Sequence, residues 1–155
     1  MGGIGIVIAA GFIFSFVGNP PVAKSIAWGV NFSRWHSELL GLDWKANYLA
    51  LADELGVRLF RVPVYWQDVE PKEGEFRFED YDWMIGEAEK RDAKIILTVG
   101  RKVSRWPECH VPDWAKELSE QDRQEKILSL IESIVSRYRE SAAIARWQVE
   151  NEAFF

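Results

Sequence analysis

The pattern of apolar positions changes period repeatedly between Ser25 and the end of the chain. Ile26–Phe32 reads as a strand, and Asp43 can cap a helix to about Leu55, with Leu49, Ala52 and Leu55 on one face and Gly56 as its stop. Val57–Val64 is a second strand. Gly74 marks a turn, after which Phe78–Arg91 forms a helix whose Tyr81, Ile85 and Ala88 share a face. Lys94–Val99 is a third strand, and its unbroken apolar run predicts a parallel sheet covered on both faces. A long loop from Gly100 to about Leu118, punctuated by Pro107 and Pro112, is functional by its length and by its Trp106, His110 and Trp114. Ser119 then caps a helix to about Arg139 with the stripe Ile127, Leu130, Ile131, Ile134 and Val135. Arg146–Glu150 is a fourth, buried strand that delivers Asn151 and Glu152 to its C-terminal end.

Strands alternating with helices over crossover-length connections select a right-handed α/β arrangement with a parallel sheet. A complete (β/α)8 barrel needs about 250 residues, so 155 residues holding four strand-helix units predict a partial TIM barrel, its first four β/α units. A carboxylic acid at the end of a barrel strand stands where such folds place their catalytic groups. An open four-stranded parallel sheet of this kind has two unpaired edges and is prone to associate.

The N-terminus has a different character. Met1 to Val17 carries no charge, and Ile4–Val17 has the length of a signal-peptide core rather than of a full membrane span. Residues 1–24 are therefore expected to be a signal peptide or N-terminal membrane anchor plus the linker Gly18-Asn19-Pro20-Pro21, and residues 25–155 the folded domain. A basic n-region and a clean cleavage site are both missing, so the two forms of export stay open. Either one places the domain outside the cytoplasm, secreted or membrane-anchored.

Charge and cysteine content narrow the partners. A net charge of −5 and a pI near 5.2 leave no basic face, which argues against nucleic acid. Cys109 is the only cysteine, so neither an intrachain disulfide nor a cysteine-rich metal site is expected, and it reads as a loop thiol. Eight tryptophans are present, and Trp28, Trp35, Trp66, Trp106, Trp114 and Trp147 fall at or just beyond strand ends. Indole stacks on the C–H faces of sugars but also fills cores. Trp28, Trp44 and Trp83 are read as core; Trp66 and Trp106 divide evenly between packing and sugar contact.

Four short motifs in order carry a resemblance: Arg61-Val62-Pro63-Val64-Tyr65-Trp66, Glu70-Pro71-Lys72-Glu73-Gly74-Glu75-Phe76-Arg77-Phe78, Tyr81-Asp82 and Asn151-Glu152. In this order the chain resembles the N-terminal half of the (β/α)8-barrel retaining glycoside hydrolases, the clan A superfamily, in its β-galactosidase and cellulase-like branches. The resemblance implies hydrolysis of O-glycosidic bonds in an oligo- or polysaccharide, with no cofactor and no metal. It implies that Glu152 is the general acid/base, that Asn151 hydrogen-bonds the sugar 2-hydroxyl, and that Arg61 holds the nucleophile carboxylate ionised. The chemistry agrees: a glycosidic oxygen leaves poorly until protonated.

Trp66, Trp106 and His110 are further candidate sugar contacts, His110 being equally a surface residue; His36 is a weaker one. Glu150 precedes the pair and is set aside as a rival acid. A retaining enzyme needs a second carboxylate about 5 Å from the acid, and the resemblance places it on a seventh strand. Asp68, Glu70 and Glu73 do not match that motif. The expectation is a chain that alone hydrolyses little or nothing. Its alternative roles are a non-catalytic saccharide-binding half barrel, or a subunit completed by a second half-barrel chain.

Overall fold

The computed structural model describes residues 25–152. Four parallel strands form one sheet in the order β1-β2-β3-β4, with β1 at Val30–Asn31, β2 at Leu59–Pro63, β3 at Lys94–Val99 and β4 at Ile144–Val149. Between them run α1 (Arg34–Leu39), α2 (Trp44–Asp53), α3 (Trp66–Val69), α4 (Glu79–Lys90), α5 (Asp113–Lys116) and α6 (Glu120–Tyr138). Sequential parallel neighbours joined through helices are the opening units of a (β/α)8 barrel. The predicted fold class is what the structure has.

The caps lie where the sequence places them. Asp43 accepts from the Lys45 and Ala46 amides at the start of α2, and Ser119 accepts from the Asp122 amide at the start of α6. Phe60 and Val62 of β2 pair in register with Ile95 and Leu97 of β3, and all four are buried against the helix layer with Tyr48, Met84, Leu130 and Ile134. Tyr48 stacks on Phe60 at 4.7 Å between ring centroids and meets Phe32 edge-on at 4.9 Å. Burial on this scale is worth about 1.5–3 kcal/mol for each large side chain.

Four expectations change. β3 is apolar throughout its centre, yet burial along β2 and β3 alternates, because the helices cover one face and leave Arg61 and Ile96 half-buried on the other. β4 is not a buried strand: it pairs only with β3 among the described residues, and Val149 is 58% exposed. β1 shrinks to Val30–Asn31, whose register with β2 begins at Phe60, and residues 25–29 before it form no regular structure. Trp28, read as core, is consequently 83% exposed. The short helices α1, α3 and α5 are too brief for a helical period to register in sequence, and α5 lies within the long loop after β3.

The loop after β3 is ordered by packing rather than by regular structure. Lys102 and Cys109 form an isolated antiparallel bridge, Val103 is fully buried, and the Gln67 amide donates to the His110 carbonyl at 3.1 Å. The expected leader or anchor lies in residues 1–24, outside the described residues. Among the described residues, no helix is long and apolar enough to cross a membrane.

Candidate active site

Arg61 sits in the middle of β2 on the face that the helices leave open. Its Nε donates to Gln148 Oε1 at 2.8 Å, Nη1 to Asn31 Oδ1 at 3.1 Å and Nη2 to Asn151 Oδ1 at 2.9 Å. One guanidinium thus joins the C-terminal ends of β1, β2 and β4. All three acceptors are neutral amides, and among the described residues Arg61 forms no ion pair. Of the five N–H groups of a guanidinium, three are used. Its full charge and its remaining donors face the open side of the sheet.

Asn151 is oriented by this contact. A guanidinium can only donate, so the amide oxygen must face Arg61 and Nδ2 is left outward, free to donate to a hydroxyl. The Asn151 backbone N–H donates to the Lys102 carbonyl at 2.6 Å, which ties the β4 end to the loop after β3.

Glu152 turns away from Arg61. Its carboxylate accepts from Lys102 Nζ at 3.2 Å, and its side chain is 57% exposed. The partner Lys102 also lies 3.6 Å from Glu108, and these two carboxylates hold its ammonium above its usual range, the Glu152 hydrogen bond most of all. Lys102, Leu128, Val149, Glu150, Asn151 and Glu152 are among the residues lining a cavity of about 490 Å³. The structure therefore brings Arg61 and Asn151 together, and places Glu152, the next residue, in the lining of this cavity on Lys102.

Glu150 is engaged differently from either neighbour. Oε1 accepts from the Arg101 amide at 2.8 Å and Oε2 from the Lys102 amide at 2.5 Å. Gly100 holds a φ of 128° that favours glycine, and a Cβ there would approach Glu150 Oε1 to 2.4 Å. Glu150 and Glu152 both adopt left-handed backbone, with φ of 59° and 54°. That conformation is unfavourable for a side-chain-bearing residue and concentrates at functional sites.

The other candidates separate. Trp66 is fully buried; its indole N–H donates to Glu70 Oε2 at 2.8 Å and its ring meets Trp114 edge-on at 5.5 Å. It presents no face to a sugar and serves packing. Glu70 is itself buried and accepts from the Gly74 amide at 2.8 Å, so it braces the turn between β2 and α4. His110 is buried as well, with its Nε2 3.2 Å from the Arg105 carbonyl and its ring against Tyr65 and Trp35. Burial pulls the imidazole below its ordinary value, and the position is neither the surface nor an open subsite. Its neighbour Tyr65 is pushed up to about 12 by burial, despite the 2.6 Å hydrogen bond with Ser33. Trp106, by contrast, is 83% exposed on the loop after β3. Asp68 lies on Arg34, whose guanidinium also reaches Glu38 and Asp80.

Asn31, Gln148 and Lys102 were not anticipated. The first two carried a signal, being polar residues inside otherwise apolar strands; Lys102, in an irregular loop, carried none. Among the described residues, no group of three or more His, Cys, Asp or Glu side chains is placed to hold a metal ion.

A parallel βαβ sheet with Arg61, Asn151 and Glu152 at or beyond its strand ends has the architecture of the opening units of a TIM barrel. The chain belongs to Glycosyl hydrolase family 10, whose model matches residues 50–155. Solved structures agree on the fold. A GH5_18 protein from Streptomyces cattleya in complex with GlcNAc superposes with a TM-score of 0.65 at 18% identity, covering 84% of this chain and 34% of its own. A β-galactosidase from the haloarchaeon Halorubrum lacusprofundi gives 0.62 at 21% identity over 83% of this chain and 21% of its own. A GH5_18 protein from Bifidobacterium longum subsp. longum gives 0.61 at 19% identity over 80% and 33%. The chain thus spans about a fifth to a third of the structures it resembles. No curated protein matches it.

Proposed function

We propose that this chain forms the first half of a retaining glycoside hydrolase acting on an oligo- or polysaccharide, with Glu152 as its general acid/base. The observation that carries the reading is Arg61: a guanidinium at the C-terminal strand ends whose charge is met only by neutral amides. A carboxylate entering opposite it would gain a charge-assisted hydrogen bond and stay ionised. That carboxylate is the nucleophile, contributed from outside residues 25–152. It attacks the anomeric carbon while Glu152 protonates the departing glycosidic oxygen, and Glu152 then takes a proton from the water that releases the sugar. Asn151 Nδ2 donates to the 2-hydroxyl, a contact that strengthens as the ring flattens. Trp106 supplies a stacking surface at the rim. For Glu152 to act as the acid, its tie to Lys102 must give way to substrate.

The purified 155-residue chain should turn over an aryl glycoside negligibly, because one carboxylate alone cannot complete double displacement. Turnover abolished by Glu152→Ala would instead show that the chain holds its own second carboxylate.

A second reading has its own support: Glu152 is exposed and ion-paired while Trp106 lies open, an arrangement suited to a saccharide-binding half barrel. Saccharide binding that survives Glu152→Ala and falls with Trp106→Ala would favour it. Two features of context belong to the same proposal. The uncharged apolar run before Val17 supports export or membrane tethering, which N-terminal sequencing of the mature protein would check. The exposed Val149 edge of β4 supports completion by a second half barrel or by association.

A further inference from the structure

We propose that Glu150 is the positioning residue of the strand-end pair. This rests on the reading of Asn151 and Glu152 as sugar-facing groups. Its carboxylate clasps the main chain of the loop after β3, and Lys102 is the hub. The Lys102 amide donates to Glu150 Oε2, the Lys102 carbonyl accepts from the Asn151 amide at 2.6 Å, and the Lys102 ammonium reaches Glu152 at 3.2 Å. Three consecutive residues after β4 are thereby locked to one residue of the neighbouring loop.

The clasp explains several otherwise separate features. The Glu150 amide still continues the sheet by donating to Val99 at 2.8 Å, so the turn into left-handed backbone begins at the first residue past β4. Two parallel N–H donors, from Arg101 and Lys102, converge on one carboxylate, and such charge-assisted pairs are stronger than neutral ones. They favour the backbone conformation that Glu150 would not otherwise adopt. That conformation turns Asn151 Oδ1 onto Arg61. Gly100 leaves the space that the carboxylate occupies. Gln148 closes the circuit, since its Nε2 donates to the Glu150 carbonyl at 3.1 Å while its Oε1 accepts from Arg61.

Glu150→Gln keeps the shape but replaces one acceptor oxygen by a donor, so one of the two amides loses its partner. The test is ¹⁵N NMR of the 155-residue chain without sugar, comparing the native sequence with Glu150→Gln, Glu150→Ala and Asp43→Ala. In Glu150→Gln the Arg61 Nε–H should exchange with water about tenfold faster, the scale of one lost hydrogen bond, and the Asn151 Nδ2 resonances should shift. Glu150→Ala, which removes both acceptor oxygens, should reproduce both changes at larger size. Asp43→Ala removes the cap of α2, whose amide partners Lys45 and Ala46 lie outside the clasp, and should leave both signals in place, which separates positioning from general loosening. Arg61 and Asn151 resonances that stay unchanged in Glu150→Gln, while the Arg101 and Lys102 amides shift, would overturn the proposal. Sugar binding and turnover test the reading of Asn151 and Glu152; these sugar-free resonances test the clasp alone.

Discussion

Arg61 has a role that its position in sequence suggests but its partners define. An arginine inside an apolar strand must find acceptors, and Asn31, Gln148 and Asn151 supply them without neutralising it. Arg61→Lys would keep a charge but give up the planar fork that spans three strands. At the same scale, His110 sets a pH dependence. Burial lowers its folded pKa below the ordinary 6.5, so the unfolded chain binds more protons, and stability contributed by the neutral ring is complete above pH 6.5. It is lost as pH falls through the folded value. Asp82, held low chiefly by its hydrogen bond from Arg137, acts in the same direction further into acid. The thermal midpoint should therefore decline as pH falls below about 6.5, and His110→Gln should flatten that decline. An unchanged slope in the variant would remove His110 from the account. Arg61, Asn151 and Glu152 were legible as residues of interest because each is a polar group at an apolar strand or at its end. That Glu152 meets Lys102 rather than Arg61 was not, because a loop 50 residues earlier in sequence brings the lysine there.

Elements were read well where a period ran long enough and a cap marked its start. The 19-residue α6 begins at its predicted cap and buries Ile127, Leu130 and Ile134 as its stripe requires. Ser119→Ala should cost about 1 kcal/mol by removing the acceptor for the Asp122 amide, measured by urea unfolding; a variant as stable as the parent would mean the cap is replaced by water. Leu97→Ala, at the fully buried centre of β3, should cost about 2–5 kcal/mol. Trp66 divided evenly between packing and sugar contact because an indole at a strand end looks the same in sequence whether it faces solvent or the buried Glu70. β1 and β4 were misjudged for a related reason. Their residues favour strands, but burial of a strand depends on neighbours that its own sequence does not name.

At the scale of the whole molecule, the sheet has parallel edges at β1 and β4 among the described residues. Val149 and Leu128 are exposed beside the second of these, and Trp28 beside the first. Unpaired edges flanked by apolar side chains invite association. The purified chain should accordingly show a sedimentation coefficient that rises with concentration, and Val149→Lys should suppress that rise by placing a charge on the β4 edge. A rise of equal size in Val149→Lys would assign association to another surface.

Alternating periods, helix caps and the order of four motifs were enough for the sequence to determine the barrel class, the strand order and the superfamily, because each of these depends on local pattern and chain direction. Which face of β3 is open, which tryptophan is buried and which carboxylate grips the neighbouring loop were decided only in the tertiary structure. Those outcomes depend on contacts between residues up to 90 positions apart, as with Arg61 and Asn151. Local sequence fixes what a residue can donate or accept; only the folded chain brings it a partner.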